Sequence, residues 1–224
     1  MVMLDVTSDQ SVLDCVDGLW AQGGRIDILV NNAGYLVSGA VEEVPIDQAK
    51  AQFDTNFFGA VRMIRAVVPK MRQQGGGLIV NITSLAGLVP LPFWGFYAAS
   101  KFALEGLTEA LREELRPFGI RVCAVEPGSI KTPFYAADQK APSMKEYAAR
   151  RARFEKSMRQ YEEKAPGPEL VAEKVARIVH SRSPALRNPV TKEATVFPLL
   201  RTWFPRSWFE RGLRSSFHLD DEAF

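Results

Sequence analysis

The chain has few of the residues that build covalent or metal frameworks, with two cysteines and two histidines in 224 residues. Cys15 falls in a helical pattern and Cys123 in a strand-like one. That predicts buried, reduced thiols rather than a disulfide, and fits a reducing compartment. His180 and His218 show no metal-ligand spacing, so both read as surface residues and no metal is expected. No apolar run approaches the ~20 residues needed to span a bilayer, and the start lacks a basic region followed by a long apolar stretch. The expectation is a cytoplasmic protein without a transmembrane segment. Charge of one sign is not in excess either: 28 basic residues face 26 acidic ones, so nothing draws the chain to nucleic acid. A glycine-rich phosphate loop is missing. Gly23-Gly24 and Gly75-Gly76-Gly77 are the only glycine clusters, and each sits between a helical pattern and a strand, where it reads as a helix stop. No internal repeat is visible.

What is present is an alternation of short apolar runs with helical periodicity. Strands are expected at residues 2–6, 26–30, 78–82 and 120–126, with a last one within 190–197; helices are expected at 8–22, 45–74, 96–116, 136–165 and 169–181. Ser8 or Asp9 caps the first helix, and Pro69 kinks the second or lies near its end. Arg150, Arg151 and Arg153 read as a solvated helix face. The length fits a single domain, and the alternation argues for a mostly parallel sheet with helices on both faces. Ligands of such sheets bind beyond the carboxyl ends of the strands. Asn31, Ser84 and Pro127-Gly128 end three of those strands.

Twelve residues separate Ser84 from Tyr97, and Lys101 follows the tyrosine at i,i+4. A phenol titrates near pH ~10 when unperturbed, and an ammonium one helical turn away stabilises the phenolate and draws that value down. Tyr97 then becomes a usable acid or base, and the Ser84 hydroxyl could bond the same substrate oxygen. This suggests redox chemistry at a carbon–oxygen bond.

Six segments carry a resemblance to the short-chain dehydrogenase/reductase family, in that family's order: Leu4-Asp5-Val6-Thr7, Asn31-Asn32-Ala33-Gly34, Asn56 within Thr55-Asn56-Phe57-Phe58-Gly59, Ser84, Tyr97-Ala98-Ala99-Ser100-Lys101, and Pro127-Gly128-Ser129-Ile130-Lys131-Thr132. The resemblance implies a Rossmann-like doubly wound α/β domain over 1–224 and an oxidoreductase that uses NAD or NADP. It makes Asn56, Ser84, Tyr97 and Lys101 the catalytic tetrad. Tyr97 would exchange the proton, Ser84 hold the oxygen, Lys101 also bond the nicotinamide ribose, and Asn56 hold a relay water. Cofactor contacts would fall to Asp5 and Val6, to Asn31, Ala33 and Gly34, to Tyr97 and Lys101, and to Pro127, Gly128, Ile130 and Thr132. Residues 133–168 would form a substrate lid, 197–224 an aromatic and basic tail, and the substrate would be an apolar alcohol or carbonyl compound. Homo-oligomers through the helices of Asn56 and Tyr97 are implied as well.

The family opens with two strands, their helices and a Thr-Gly-x-x-x-Gly-x-Gly turn that this chain lacks. By the family's strand order, residues 2–6 and 26–30 would flank a gap of roughly 14 Å. Either the first strand swings in, a second chain fills the space, or the region is poorly ordered. The competing reading is a binding or oligomerisation subunit that keeps the tetrad by descent but holds a dinucleotide poorly.

Overall fold

The structure is a computed structural model and describes residues 2–220; Met1 and the 221–224 end of the tail lie outside the described residues. In chain order the elements are α1 (Asp9–Gly23), β1 (Ile28–Asn31), β2 (Val37–Ser38), α2 (Ile46–Phe53), a π turn (Asp54–Gly59), α3 (Ala60–Gln73), β3 (Gly77–Ile82), α4 (Gly95–Leu115), β4 (Ile120–Glu126), β5 (Gln139–Lys140), α5 (Lys145–Glu163), α6 (Glu169–His180), β6 (Arg187–Pro189), α7 (Lys192–Trp203) and α8 (Arg206–Ser216). The main sheet is parallel throughout, in the order β1-β3-β4-β6, and β2 pairs with β5 in a second, two-stranded sheet. This is the Rossmann-like α/β architecture.

Both faces of the sheet are covered, which is why β3 and β4 read as nearly unbroken apolar runs. On one face Ile79 packs with Val12 and Val16 of α1, Met63 and Val67 of α3, and Leu111 and Leu115 of α4. On the other, Leu78 and Val80 meet Cys123, Val125 and Ile178, backed by Val171 and Val175 of α6. Each fully buried aliphatic side chain contributes about 1.5–3 kcal/mol, so the sheet is fixed well before any polar contact is counted. Cys15 and Cys123 are both buried and free.

The helix ends follow local chemistry. Ser8 caps α1 by accepting from Ser11 N at 3.2 Å, and Gly24, left-handed at φ 63°, closes it by donating its N–H to Trp20 O at 2.7 Å. Gly76 likewise donates to Met71 O at 2.9 Å after α3. Both glycine clusters therefore stop a helix, as expected. Residues 46–73 form one long helical run, broken by the π turn, with Pro69 near its end.

Four expectations need correction. Residues 2–6 form no strand: among the described residues no strand pairs with them, and β1 is the outer strand, with Ile28 and Val30 about 40% exposed. Val6 instead packs on Gly59, where a Cβ would lie 2.8 Å from Val6 Cγ2. The stretch 190–197 becomes the start of α7, because Thr191 Oγ1 accepts from Ala194 N at 3.4 Å and caps a helix there; the last strand lies earlier, at β6. Within 136–165, residues 139–140 pair with β2 and the helix begins only at Lys145. Finally, Arg151 is not on a solvated face. It is 5% exposed, pairs with Glu43 at 3.2 Å, and donates to Ala141 O at 3.0 Å and Ser38 O at 3.3 Å, tying α5 to the segment after β1.

Candidate active site

The carboxyl ends of β1, β3 and β4 open into a cavity of about 1030 Å³. Helix α4 begins beside it and carries a buried stripe that is polar near the cavity and apolar further along: Tyr97, Lys101, Glu105, Thr108, Leu111 and Leu115. Spacings of three and four put these on one face. Ser84, just past β3, lines the same cavity as Tyr97 and Lys101. Its hydroxyl lowers the Tyr97 phenol's pKa, against the larger effect of burial, and accepts from Ala86 N at 3.1 Å, which fixes its position. Lys101 Nζ donates to Ile82 O at 2.9 Å and lies 5.9 Å from the Tyr97 ring centre.

Asn56 sits in the π turn and is 1% exposed. Such wide turns recur at functional sites, since they re-aim a side chain that a regular helix would point elsewhere. Its amide accepts from Tyr35 N at 2.9 Å and donates to Tyr35 O at 3.0 Å and Ser100 Oγ at 3.2 Å. That clamps the loop after β1. Gly34 lies within this clamp, where a Cβ would stand 3.1 Å from Asn56 Oδ1 and 3.6 Å from Lys101 Nζ.

The electrostatics overturn one expectation. Burial pushes the Tyr97 phenol up, well above the usual tyrosine range, and the Ser84 hydroxyl offsets only part of this. The expected lowering by Lys101 is absent because burial pulls that ammonium down to about 8, against the opposing pull of Glu105. The walls responsible are aromatic: Trp94 and Phe134 lie 5.9 and 5.7 Å from the Tyr97 ring. A carboxyl cluster lies behind the lysine. Glu105 and Glu126 are 4% and 2% exposed, and Arg187 reaches them at 3.5 and 3.6 Å. Burial, with repulsion from Glu105, pushes Glu126 up to about 8.

Of the residues expected to contact a cofactor, Gly34, Tyr97, Lys101, Pro127, Gly128, Ile130 and Thr132 line the cavity. The others are placed elsewhere. Asp5 accepts from the backbone and hydroxyl of Thr7 at 2.9 and 2.7 Å, as a local turn residue. Val6 joins the apolar packing around α1 and α3. Asn31 turns into the sheet, donating to Asn81 Oδ1 at 2.8 Å, while Asn81 in turn donates to Thr108 Oγ1 at 2.8 Å. Ala33 is not part of the lining, whereas its neighbour Asn32 is. Gly128 lines the cavity, but the space a Cβ would take there is filled by Thr191 and Glu193. The carboxyl pair was missed in the sequence, although Glu105 stands at i,i+4 from Lys101 and so shares its face. The aromatic wall of Trp94, Phe134 and Tyr135 gave no such signal, because it is assembled from separate segments. His180 and His218 are exposed.

Comparison with known proteins gives a consistent result. Residues 1–143 match the family described as short chain dehydrogenase. The chain is 36% identical over 218 residues to 3-ketodihydrosphingosine reductase of Bacteroides thetaiotaomicron, covering 96% of this chain and 81% of that protein. It is 35% identical over 214 residues to retinol dehydrogenase 8 of Bos taurus, covering 92% and 68%. A short-chain dehydrogenase from Streptomyces avermitilis superposes with a TM-score of 0.82 at 31% identity, over 98% of this chain and 80% of that one. ElxO with NADP bound and NAD+-bound xylitol dehydrogenase each align at 26% identity, with TM-scores of 0.71 and 0.69, over 86% and 84% of this chain and 76% of each of theirs. With more than half of its residues matched and its fold shared with these solved relatives, the chain belongs to the short-chain dehydrogenase family.

Proposed function

We propose that the protein is a nicotinamide-dependent oxidoreductase that interconverts an apolar carbonyl compound and its alcohol, with Tyr97 as the group that exchanges the proton. The observation that carries this is a phenol that shares a largely apolar cavity with the Ser84 hydroxyl, one helical turn from a buried lysine. The residues fit the nicotinamide-ribose half of NAD or NADP. Gly34 leaves space beside Lys101 that a Cβ would fill, and the ammonium, a triple donor, makes one hydrogen bond among the described residues. Its remaining donors suit a ribose diol. Asn32, Pro127, Ile130 and Thr132 stand on the same lining.

A bound nicotinamide supplies the hydride that a carbonyl carbon takes up in reduction. Ser84 would hold the carbonyl oxygen, and Tyr97 would give it a proton as negative charge develops there. Burial keeps the phenol protonated at neutral pH, which is the form that donates a proton to a carbonyl oxygen. Asn56 acts as a positioning residue, holding Tyr35 and with it Gly34 against Lys101. Residues 133–168, which contribute Phe134, Tyr135, Met158 and Tyr161 to the lining, serve as the lid. Relatives named for 3-ketodihydrosphingosine and retinol support an apolar substrate. Pairing of copies through the α2 and π-turn face is supported by Ile46 and Phe58, which are 65% and 49% exposed.

The same likenesses favour an enzyme over a subunit that only binds. Titration calorimetry with NADH and NADPH, followed by turnover of long-chain aliphatic ketones, tests the reading. Saturable binding of one nucleotide with ketone-dependent oxidation of it is the expected result. Binding of neither nucleotide would sink the proposal.

A further inference from the structure

The hairpin of α7 and α8 presents an apolar stripe to solvent. Val196, Leu199 and Trp203 recur at helical spacing on α7 and are 45%, 54% and 80% exposed, and Phe204 and Trp208 continue the stripe at 49% and 65%. Side chains of this size are normally buried, and an exposed run of them marks an interaction surface. The charges around it lean positive. Residues 192–220 hold Lys192, Arg201, Arg206, Arg211 and Arg214 against Glu193, Glu210 and Asp220, and Arg214 pairs with Asp220 at 3.8 Å. Glu210 pairs with Arg206 at 2.7 Å. Tryptophan beside arginine, on helices lying along the molecular surface, matches a bilayer interface, where rings sit at headgroup depth and guanidinium groups meet lipid phosphates.

We propose that this hairpin seats the protein on an anionic lipid bilayer, as a surface contact and not a span. Among the described residues no helix is long and apolar enough to cross a membrane. A neighbouring face of α7 borders the cavity: Glu193 and Phe197, with Phe217 just after α8, are part of its lining. The docked face and the cavity wall are thus adjacent faces of one element. If the substrate is apolar, as the proposed function holds, it would reach the cavity from the lipid side; the docking itself does not depend on that reading.

The test is co-sedimentation of the full chain with vesicles of phosphatidylcholine alone and of phosphatidylcholine mixed with phosphatidylserine, with tryptophan emission recorded. The protein should partition to the mixed vesicles with a blue shift. Arg206→Gln with Arg211→Gln should weaken partitioning roughly 30-fold, at about fivefold per charge removed. Trp203→Ser with Trp208→Ser should remove both partitioning and the blue shift. These exposed side chains lie off the cavity, so circular dichroism and nucleotide binding should be unchanged in both variants. Three results would overturn the proposal: no partitioning of the natural chain, equal partitioning to both vesicle types, or a self-association in sedimentation velocity that the tryptophan variant disperses. The last would make the stripe a contact between copies.

Discussion

Glu126 is a carboxyl group that the fold keeps protonated, with Glu105 and Arg187 beside it. Its folded value is about 8 against 4.5 in the ordinary case. Below 4.5 the group is protonated in both states, so stability is then undiminished. As pH rises the unfolded chain releases its proton first, and stability falls until pH passes about 8. Glu126→Gln should flatten that decline and raise the melting temperature most at pH 8, which thermal unfolding along a pH series measures. Equal slopes for the two proteins would show that burial of this carboxyl is not the cause. Asn56 contributes through hydrogen bonds to Tyr35 and Ser100. Asn56→Ala removes bonds to Tyr35 and Ser100 and should cost about 3 kcal/mol in chemical denaturation, at roughly 1 kcal/mol for each neutral hydrogen bond. At this scale the Tyr97 and Lys101 pair was legible, because i,i+4 spacing on a helix is a local property. The direction of the phenol's shift was not, since it depends on Phe134 and Tyr135, which sequence distance hides.

Helix α1 separates what a glycine does inside an element from what it does at its end. Gly18 lies within α1 and Gly24 closes it at φ 63°, and a Cβ at either position meets nothing within 4 Å. Gly18→Ala should therefore stabilise by about 0.5–1 kcal/mol through helix propensity alone, while Gly24→Ala should destabilise by roughly 1–2 kcal/mol through backbone strain. Denaturant melts of the two variants check the opposite signs; the same sign for both would contradict the assignment of Gly24 as the stop. Helices with such caps, and strands buried on both faces, were readable from periodicity and punctuation. The failures were elements decided by neighbours. Residues 2–6 have a strand's composition but no pairing strand among the described residues, Thr191 turns a β-branched stretch into α7 by capping it, and Arg151 is drawn inward by Glu43 from a distant segment.

At the scale of the molecule, one sheet edge gathers groups from across the chain: Asn32 and Gly34 after β1, Ser84 after β3, Pro127 and Gly128 after β4, with Tyr97 and Lys101 brought in by α4. Part of that convergence was visible in the sequence, because parallel sheets place ligands beyond their carboxyl ends: Ser84 and Pro127-Gly128 line the cavity, whereas Asn31 turns into the sheet and Asn32 takes its place. The volume and aromatic character of the cavity were not, since α5, α7 and the segment after β4 build them together. The central claim is that Tyr97 transfers the proton in carbonyl reduction. It is tested most directly by following reduced-nicotinamide oxidation with an apolar ketone in the natural chain and in Tyr97→Phe, alongside nucleotide titration of both. The account predicts that the variant keeps its fold and nucleotide affinity and loses about 10²–10⁴-fold in turnover; turnover at the natural rate in Tyr97→Phe would contradict it.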